Sequence, residues 1–582
     1  MSTQDQTLWV TFNGEIYNFQ DLRARLSSLG HRFHTQTDTE VILAAYRQYG
    51  VDCLQHLHGM FAFALWDEAA GTLLLARDRV GKKPLFYRQD NDGIVFASEP
   101  KAFLAEPSFH AEPDLSALSE YLTYQYVPAP LSAFKGVHKL PPSHYLLVRH
   151  GQISLHRYWK LSYASKLSIS EAEAGERLIE LLRAAVSRRL ISDVPLGAFL
   201  SGGIDSGTVV ALMAQQESGR VKTFSIGFED ERFDELAFAR QVAERYGTDH
   251  HELVVRPDAV NLLPRLVWHY NEPYADSSAI PTFALSEWTR RHVTVALNGD
   301  GGDESFAGYE RYRAMALANR YDRAPRPVRR VVGRLAALVP PSGTSGGPLS
   351  RGKRFLDGLR QGPERRYLRW MAHFDDDLKR ELCTPEFMKA AGEPRCPRLL
   401  ESFAASDALN LIDRTLSVDV ETYLPDDLLV KVDIATMAHG LEARSPFLDH
   451  EVMEFAAALP SELKLRDGVK KYILKTVVRD LLPRDIVDRP KMGFGVPLES
   501  WFRTDLKPLA YDVLSSQRFR QRGYFRPHVV ERLLDQHVAG VRTWHYQLWN
   551  LLILELWHRA FVDAGSRRYE DVAGSLEAAV VI

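Results

Sequence analysis

Cysteine is nearly absent from this chain: Cys53, Cys383 and Cys396 are its three among 582 residues. They are too few and too scattered for a disulfide framework, and none stands at a spacing that holds a metal. Surplus charge is lacking too, since 72 Lys and Arg face 75 Asp and Glu for a formal net charge of −3. A general polyanion binder needs a basic excess, so nucleic acid is not expected as the main partner. No apolar run approaches a membrane span, and the opening Met1-Ser2-Thr3-Gln4-Asp5-Gln6 has neither the basic nor the apolar region of a signal peptide. A soluble, cytoplasmic chain without a membrane partner is expected. Its length implies two or three domains, each with its own core.

What is present concentrates in Phe199-Leu200-Ser201-Gly202-Gly203-Ile204-Asp205-Ser206. Pro195 to Leu200 reads as a buried strand and Gly207 to Met213 as the helix after it, so loop N–H groups and a helix N-terminus converge on one anion site. Gly202 and Gly203 let the backbone approach a ligand closely. No Lys follows the glycines, which excludes the Gly-x-x-x-x-Gly-Lys phosphate loop. Asp205 stands where a carboxylate holds a magnesium ion bridging phosphates. The segment resembles the Ser-Gly-Gly-x-Asp-Ser loop of ATP pyrophosphatases, which adenylate a carboxylate and release PPi.

A second loop, Asn298-Gly299-Asp300-Gly301-Gly302-Asp303-Glu304, ends the β-branched run Val293 to Asn298. Open α/β sheets bind ligands at such strand ends, so this loop should face the first. Asp303 would complete the magnesium site with Asp205, and Asp300 would orient the reacting carboxylate or AMP. Ile226, near the end of the run Val221 to Phe228, offers its backbone and apolar side chain to an adenine.

The first 160 residues carry short β-like runs (Leu8 to Phe12, Ala62 to Trp66, Thr72 to Ala76, Ile94 to Ala97, His144 to Val148) with helical periodicity at Phe19 to Leu29 and Glu40 to Tyr49. The polar stretch Ser162 to Ser170 reads as a linker, giving domains at 1–160 and 171–582. Beyond it, helices (Glu176 to Leu190, Glu235 to Tyr246) alternate with strands, among them His251 to Val255, which implies a doubly wound parallel sheet. The remainder reads as mainly helical, with an exposed loop at Pro340 to Pro348.

Many ordered blocks resemble the glutamine-hydrolysing asparagine synthetases, from Trp9 to about Trp557. The first half contributes Phe12-Asn13-Gly14-Glu15-Ile16-Tyr17-Asn18, Asp38-Thr39-Glu40-Val41, Gly59-Met60-Phe61-Ala62-Phe63-Ala64, Ala76-Arg77-Asp78-Arg79, Lys83-Pro84-Leu85 and Ala97-Ser98-Glu99. The second adds both loops, Leu441-Glu442-Ala443-Arg444-Ser445-Pro446-Phe447-Leu448-Asp449 and Lys491-Met492-Gly493-Phe494-Gly495-Val496-Pro497. The resemblance implies an N-terminal-nucleophile αββα glutaminase sandwich, truncated, followed by an α/β ATP pyrophosphatase with a helical C-terminal part, assembled as a homodimer. It implies ATP and Mg2+ as cofactors, aspartate and either glutamine or ammonia as substrates, and β-aspartyl-AMP as intermediate. Asp300 and Lys471 would be catalytic. Leu200, Ser201, Gly202, Gly203, Asp205, Ser206, Ile226, Asn298 and Gly299 would bind ATP, and Asp205 and Asp303 the metal. Asn13, Gly14, Glu15 and Asp38 would bind glutamine.

Members of this family open with Met-Cys-Gly, whose Cys attacks the glutamine amide. This sequence opens a few residues before the Asn13-Gly14 strand, an arrangement expected to reflect a start assigned too far downstream, or else an ammonia-dependent relative. Ser2 belongs to a different strand from that Cys, and Cys53 reads as a small core residue. Related enzymes that adenylate other carboxylates, namely β-lactam synthetases, lasso-peptide cyclases and amidotransferases of surface polymers, are the alternatives. A non-catalytic glutamine-binding scaffold is a further one.

Overall fold

The computed structural model describes residues 1–90, 93–228, 230, 234–255, 259–327, 329–332, 348–392, 398–489 and 495–563. Most of the Pro340 to Pro348 loop, residues Lys491 to Phe494 and Cys396 lie outside them.

Among the described residues, eight strands build the first half: β1 (Leu8–Ile16), β2 (Gly59–Asp67), β3 (Thr72–Arg77), β4 (Phe86–Asp90), β5 (Gly93–Ala97), β6 (Val137–Lys139), β7 (His144–Arg149) and β8 (Gln152–Arg157). They form an antiparallel sheet in the order β1-β2-β3-β7-β8 and a smaller one in the order β5-β4-β6. Alternation along β2 and β3 decides what each sheet face meets. Phe61, Phe63, Leu65, Leu74 and Ala76 pack against the helices Phe19–Ser28 and Asp38–Tyr49, burying Leu22, Leu26, Val41 and Ile42. Ala62, Ala64 and Leu75 turn the other way, toward Leu85 and toward Tyr87, Ile94 and Phe96 of the small sheet. Helix Leu115–Tyr124, capped by the Asp114 carboxylate, packs beyond that sheet in a core shared with the C-terminal helices. The layering is αββα. Cys53 is fully buried, as a core residue should be.

The segment after β8 is anchored rather than loose. Tyr163 is buried, its N–H bonds Asp407, and Ser170 caps the helix Glu171–Leu190 through a capping box with Glu173. Five strands follow: β9 (Leu196–Phe199), β10 (Lys222–Phe228), β11 (Asp249–Val255), β12 (Val295–Leu297) and β13 (Glu442–Arg444). All pair in parallel, in the order β11-β10-β9-β12-β13. The chain runs outward from β9 in one direction and then in the other, so the crevice between the C-terminal ends of β9 and β12 is the topological switch point. The remainder is mainly helical, with β13 and the hairpin β14 (Leu465–Arg466) and β15 (Val469–Lys470) set among the helices. Among the described residues no helix is long and apolar enough to cross a membrane.

The halves meet through buried charge. Lys83 Nζ bonds Asp433 Oδ1 at 2.8 Å with both side chains nearly inaccessible, and Lys139 pairs with Glu272 at 2.7 Å.

Candidate active site

The two loops expected to face each other do so across the switch point. Beyond β9, Leu200 N–H bonds Phe224 O at 2.8 Å, which keeps the loop on the sheet. Gly202 adopts φ +68°, and a Cβ there would stand 2.7 Å from Ala239 N, so only glycine fits. Ser206 Oγ accepts from Ser201 N–H at 3.2 Å and lies 3.0 Å from Ser201 Oγ, gathering both hydroxyls at the start of helix Ile204–Gln216. Gly203 is the N-cap and Asp205 lies in the first turn, where the helix dipole favours negative charge.

Beyond β12, Asn298 is the organiser. Its N–H bonds Arg444 O at 2.9 Å, its Oδ1 accepts from Ser445 Oγ at 2.6 Å, and its Nδ2 holds Asp300 Oδ2 at 2.8 Å. The loop presses against the first one so closely that a Cβ on Gly299 would come within 2.7 Å of Asp205 Cβ, and one on Gly302 within 2.5 Å of Asp205 Oδ1.

Lys471 enters from the turn after β15 with φ +52°, its N–H bonded to Phe306 O at 3.1 Å. A non-glycine residue in that region is strained, which marks a position fixed by its surroundings. Its Nζ lies 2.5 Å from Asp205 Oδ2 and 2.7 Å from Asp303 Oδ1, and the residue is 6% exposed. Burial opposes the charge, yet the two carboxylates hold the ammonium above the ordinary lysine range. Two carboxylates converging on one point supply the hard oxygen donors a divalent cation prefers. Among the described residues no set of three or more His, Cys, Asp and Glu could enclose a metal, so such an ion would draw its other ligands from phosphate and water.

The structure thus gathers Ser201, Gly202, Gly203, Asp205, Ser206, Asn298, Gly299, Asp300, Asp303 and Lys471. Leu200 is buried and offers only backbone. Ile226 belongs to a core cluster with Phe224, Leu285 and Val293. The pairing of β9 with β10 ends at Phe224, so strand alternation turns the Ile226 N–H and C=O toward the crevice past the end of β9.

In the first half, Asn13, Gly14 and Glu15 lie on β1 opposite Ala62, Phe61 and Met60. Asn13 Nδ2 donates to Ser98 Oγ at 3.1 Å, and Asp38 Oδ2 accepts from Ile16 N–H at 2.9 Å. Burial pushes the Glu15 carboxyl up to about 7 against the pull of Arg444, and burial raises Asp38 as well. Sequence reasoning missed the partner of Glu15: Arg444, 3.3 Å away, which also bonds Glu442 Oε1 at 2.6 Å and the carbonyls of Arg189 and Ile191. It missed Gly308 too, whose Cβ would overlap Asp303 and Lys471.

Comparison with known proteins identifies a family. The profile of the asparagine synthase family matches residues 177–559, and that of the glutamine amidotransferase domain matches residues 1–159. The chain belongs to the asparagine synthase family. Its members here include asparagine synthetase (glutamine-hydrolyzing) 1 of Bacillus subtilis, 34% identical over 97% of this chain and 87% of that protein. A putative asparagine synthetase of Mycobacterium bovis is 36% identical over 95% of this chain and 84% of that protein. Amidase chyE of Penicillium rubens is 30% identical over 86% and 78%. Membership makes the chain a carbon–nitrogen ligase with an amidotransferase domain.

Proposed function

We propose that this chain makes asparagine: ATP and aspartate form β-aspartyl-AMP and PPi, and nitrogen then displaces AMP. The observation that carries the reading is the Lys471 ammonium held between Asp205 and Asp303 at the mouth of a glycine-lined crevice. As the leaving phosphates gain charge, a fixed cation in a water-poor site stabilises them at little reorganisation cost. The Ser201 to Ser206 turn cradles the pyrophosphate, Ile226 backbone receives adenine, and Asn298 aims Asp300 at the reacting carboxylate or AMP. Asp205 and Asp303 hold magnesium, which when bound screens the phosphate charge. Asn13, Gly14, Glu15 and Asp38 form the glutamine side, within a division of the chain at 1–160 and 171–582. A cytoplasmic homodimer completes the reading.

The test is incubation with ATP, magnesium, ammonium and aspartate, with asparagine and PPi measured. Both products are expected. AMP and PPi without asparagine would assign another acceptor carboxylate, the second reading, which the match to relatives named amidases favours. No nucleotide turnover at all would leave the scaffold.

A further inference from the structure

The turn Ser201 to Ser206 carries two adjacent glycines, and nothing in its own sequence decides how the peptide between them is turned. Gly202 adopts φ +68° and neither residue has a side chain, so that peptide rotates at little cost. One orientation aims the Gly203 N–H at a bound anion. The other aims the Gly202 carbonyl there and repels it.

An arginine from far along the chain settles the choice. Arg489 Nη2 donates to Gly202 O at 3.0 Å and to Glu235 Oε1 at 2.6 Å, and its guanidinium lies 4.2 Å from the centre of the Phe238 ring. Glu235 is the N-cap residue of the helix Leu236–Tyr246, which follows β10. The two side chains are only 12% and 14% exposed, so water competes weakly for their bond. Arg489 itself is held in place from behind. It ends the helix Arg484–Asp488, whose Ile486 and Val487 are buried in the core around β9 and β12, and Tyr246 Oη donates to the nearby Leu481 O at 2.7 Å.

A trans peptide sets its C=O and N–H on opposite sides, so holding Gly202 O toward Arg489 turns the Gly203 N–H away from the clamp. That N–H has no acceptor among the described residues. The clamped side leaves no room for a ligand, since a Cβ on Gly202 would stand 2.7 Å from both Ala239 N and Phe238 Cβ. Around Gly203 the space is open: only Ser201 Oγ, at 3.3 Å, would lie within 4 Å of a Cβ. The charge of Arg489 is already answered by Glu235, which distinguishes this arginine from a second cation for the phosphates.

We infer that Arg489 is a positioning residue for pyrophosphate departure: steadied by Glu235 and Phe238, it locks the Gly202–Gly203 peptide so that the Gly203 N–H donates to the leaving phosphates. The inference rests on the function proposed above. In that step a carboxylate oxygen bonds the α-phosphorus, the bond from that phosphorus to the α–β bridging oxygen breaks, and its electron pair leaves with PPi. A donor already aimed at the growing charge lowers the barrier without reorganising.

The full chain carrying Arg489→Met, Arg489→Lys or Glu235→Gln tests this by two measurements, ATP–PPi exchange with magnesium and aspartate, and calorimetric binding of magnesium pyrophosphate. Arg489→Met and Glu235→Gln are both expected to slow exchange by roughly 10²-fold, the usual worth of one oriented donor. Both should weaken pyrophosphate binding by about 10-fold, as loss of a hydrogen bond to a charged group does, and leave the KM for aspartate unchanged. Arg489→Lys keeps the charge without the planar fork and should recover little of either loss. Full recovery by lysine, or pyrophosphate bound more tightly by Glu235→Gln, would overturn the inference, because charge acting directly on the phosphates would then explain the residue. Slower exchange with pyrophosphate affinity unchanged would overturn it too, marking a loss of folded molecules. If the unmutated chain bound pyrophosphate but exchanged none with aspartate, the proposed function would fail, and the binding losses of the variants would still decide the role of Arg489. If it bound no pyrophosphate, both would fail.

Discussion

Adding one methyl group at Gly308 is the sharpest steric test of the site. An alanine Cβ there would lie 1.8 Å from Asp303 Oδ1 and 2.3 Å from Lys471 Cε, where non-bonded heavy atoms keep about 3.5 Å. Each side chain would have to retreat by more than about 1 Å, and the two are bonded to each other at 2.7 Å. Asp303 therefore cannot swing aside without leaving Lys471, and Lys471 cannot move without leaving Asp205. Gly308 does not use a left-handed φ, so the backbone itself tolerates alanine and the strain falls on the side chains. Overpacking of this kind costs about 1–3 kcal/mol in stability. Misplacing positioned groups by about 1 Å costs on the order of 10²-fold in rate. Gly308→Ala is expected to fold, to melt somewhat lower, and to release PPi about 10²-fold more slowly. Gly219→Ala, with nothing within 4 Å of its added carbon, is the control and should match the unmutated chain. A folded Gly308→Ala chain at the control's PPi rate would refute the placement of Asp303 and Lys471 at the chemistry.

Asp205→Asn, Asp303→Asn and Lys471→Ala should each slow PPi release by roughly 10²-fold, and near-full rate in any folded variant would remove that residue from the site. Asp449 is buried, which raises its carboxyl, but Arg189 at 2.8 Å and Arg188 at 3.1 Å hold it well below the usual carboxylate range. Its stabilisation is therefore complete above the unfolded value of 3.8 and is lost as the pH falls below that. Asp449→Asn should cost about 3–5 kcal/mol at pH 7 and less near pH 3, and identical urea midpoints at pH 7 would contradict it. Burial pushes the Cys53 and Cys383 thiols up to about 12 from 9.0. Thiol reagents at pH 8 should label both only after denaturation, as peptide mass spectrometry would show, and the thiols should affect stability only as the pH rises above about 9.

What the sequence made legible was local. The apolar run into Ser201 to Ser206 carried its own strand, turn and helix, and the helix was read too short, from Gly207 to Met213 instead of Ile204–Gln216. That start has no side-chain cap to announce it, and its apolar periodicity sets in a turn late. β13 shows the opposite case. Three residues, two of them charged, cannot display alternation, and the strand exists because β12 offers an open edge 145 residues upstream.

The same division runs through the site. Acidic residues beside glycines often make only turns, and Asp205, Asp300 and Asp303 stand out because theirs follow strands of a parallel sheet, where ligands bind. Lys471 by itself is an ordinary helix lysine, and becomes distinctive only where the hairpin delivers its ammonium to two carboxylates far away in the chain. Lys83 and Asp433 lie 350 positions apart and Glu15 and Arg444 belong to different halves, so no window of sequence contains either pair. Yet these pairs fix the geometry between the halves. Removing one partner would strand a desolvated charge, whereas neither partner gains much when paired compared with apolar packing. Buried pairs of this kind therefore specify how the halves dock more than they stabilise the docked state. The side chain that meets Glu15 and the carbonyl that positions Asn298, and so Asp300, belong to the same residue, Arg444, which ties β1 of the first half to the loop after β12 in one mechanical frame.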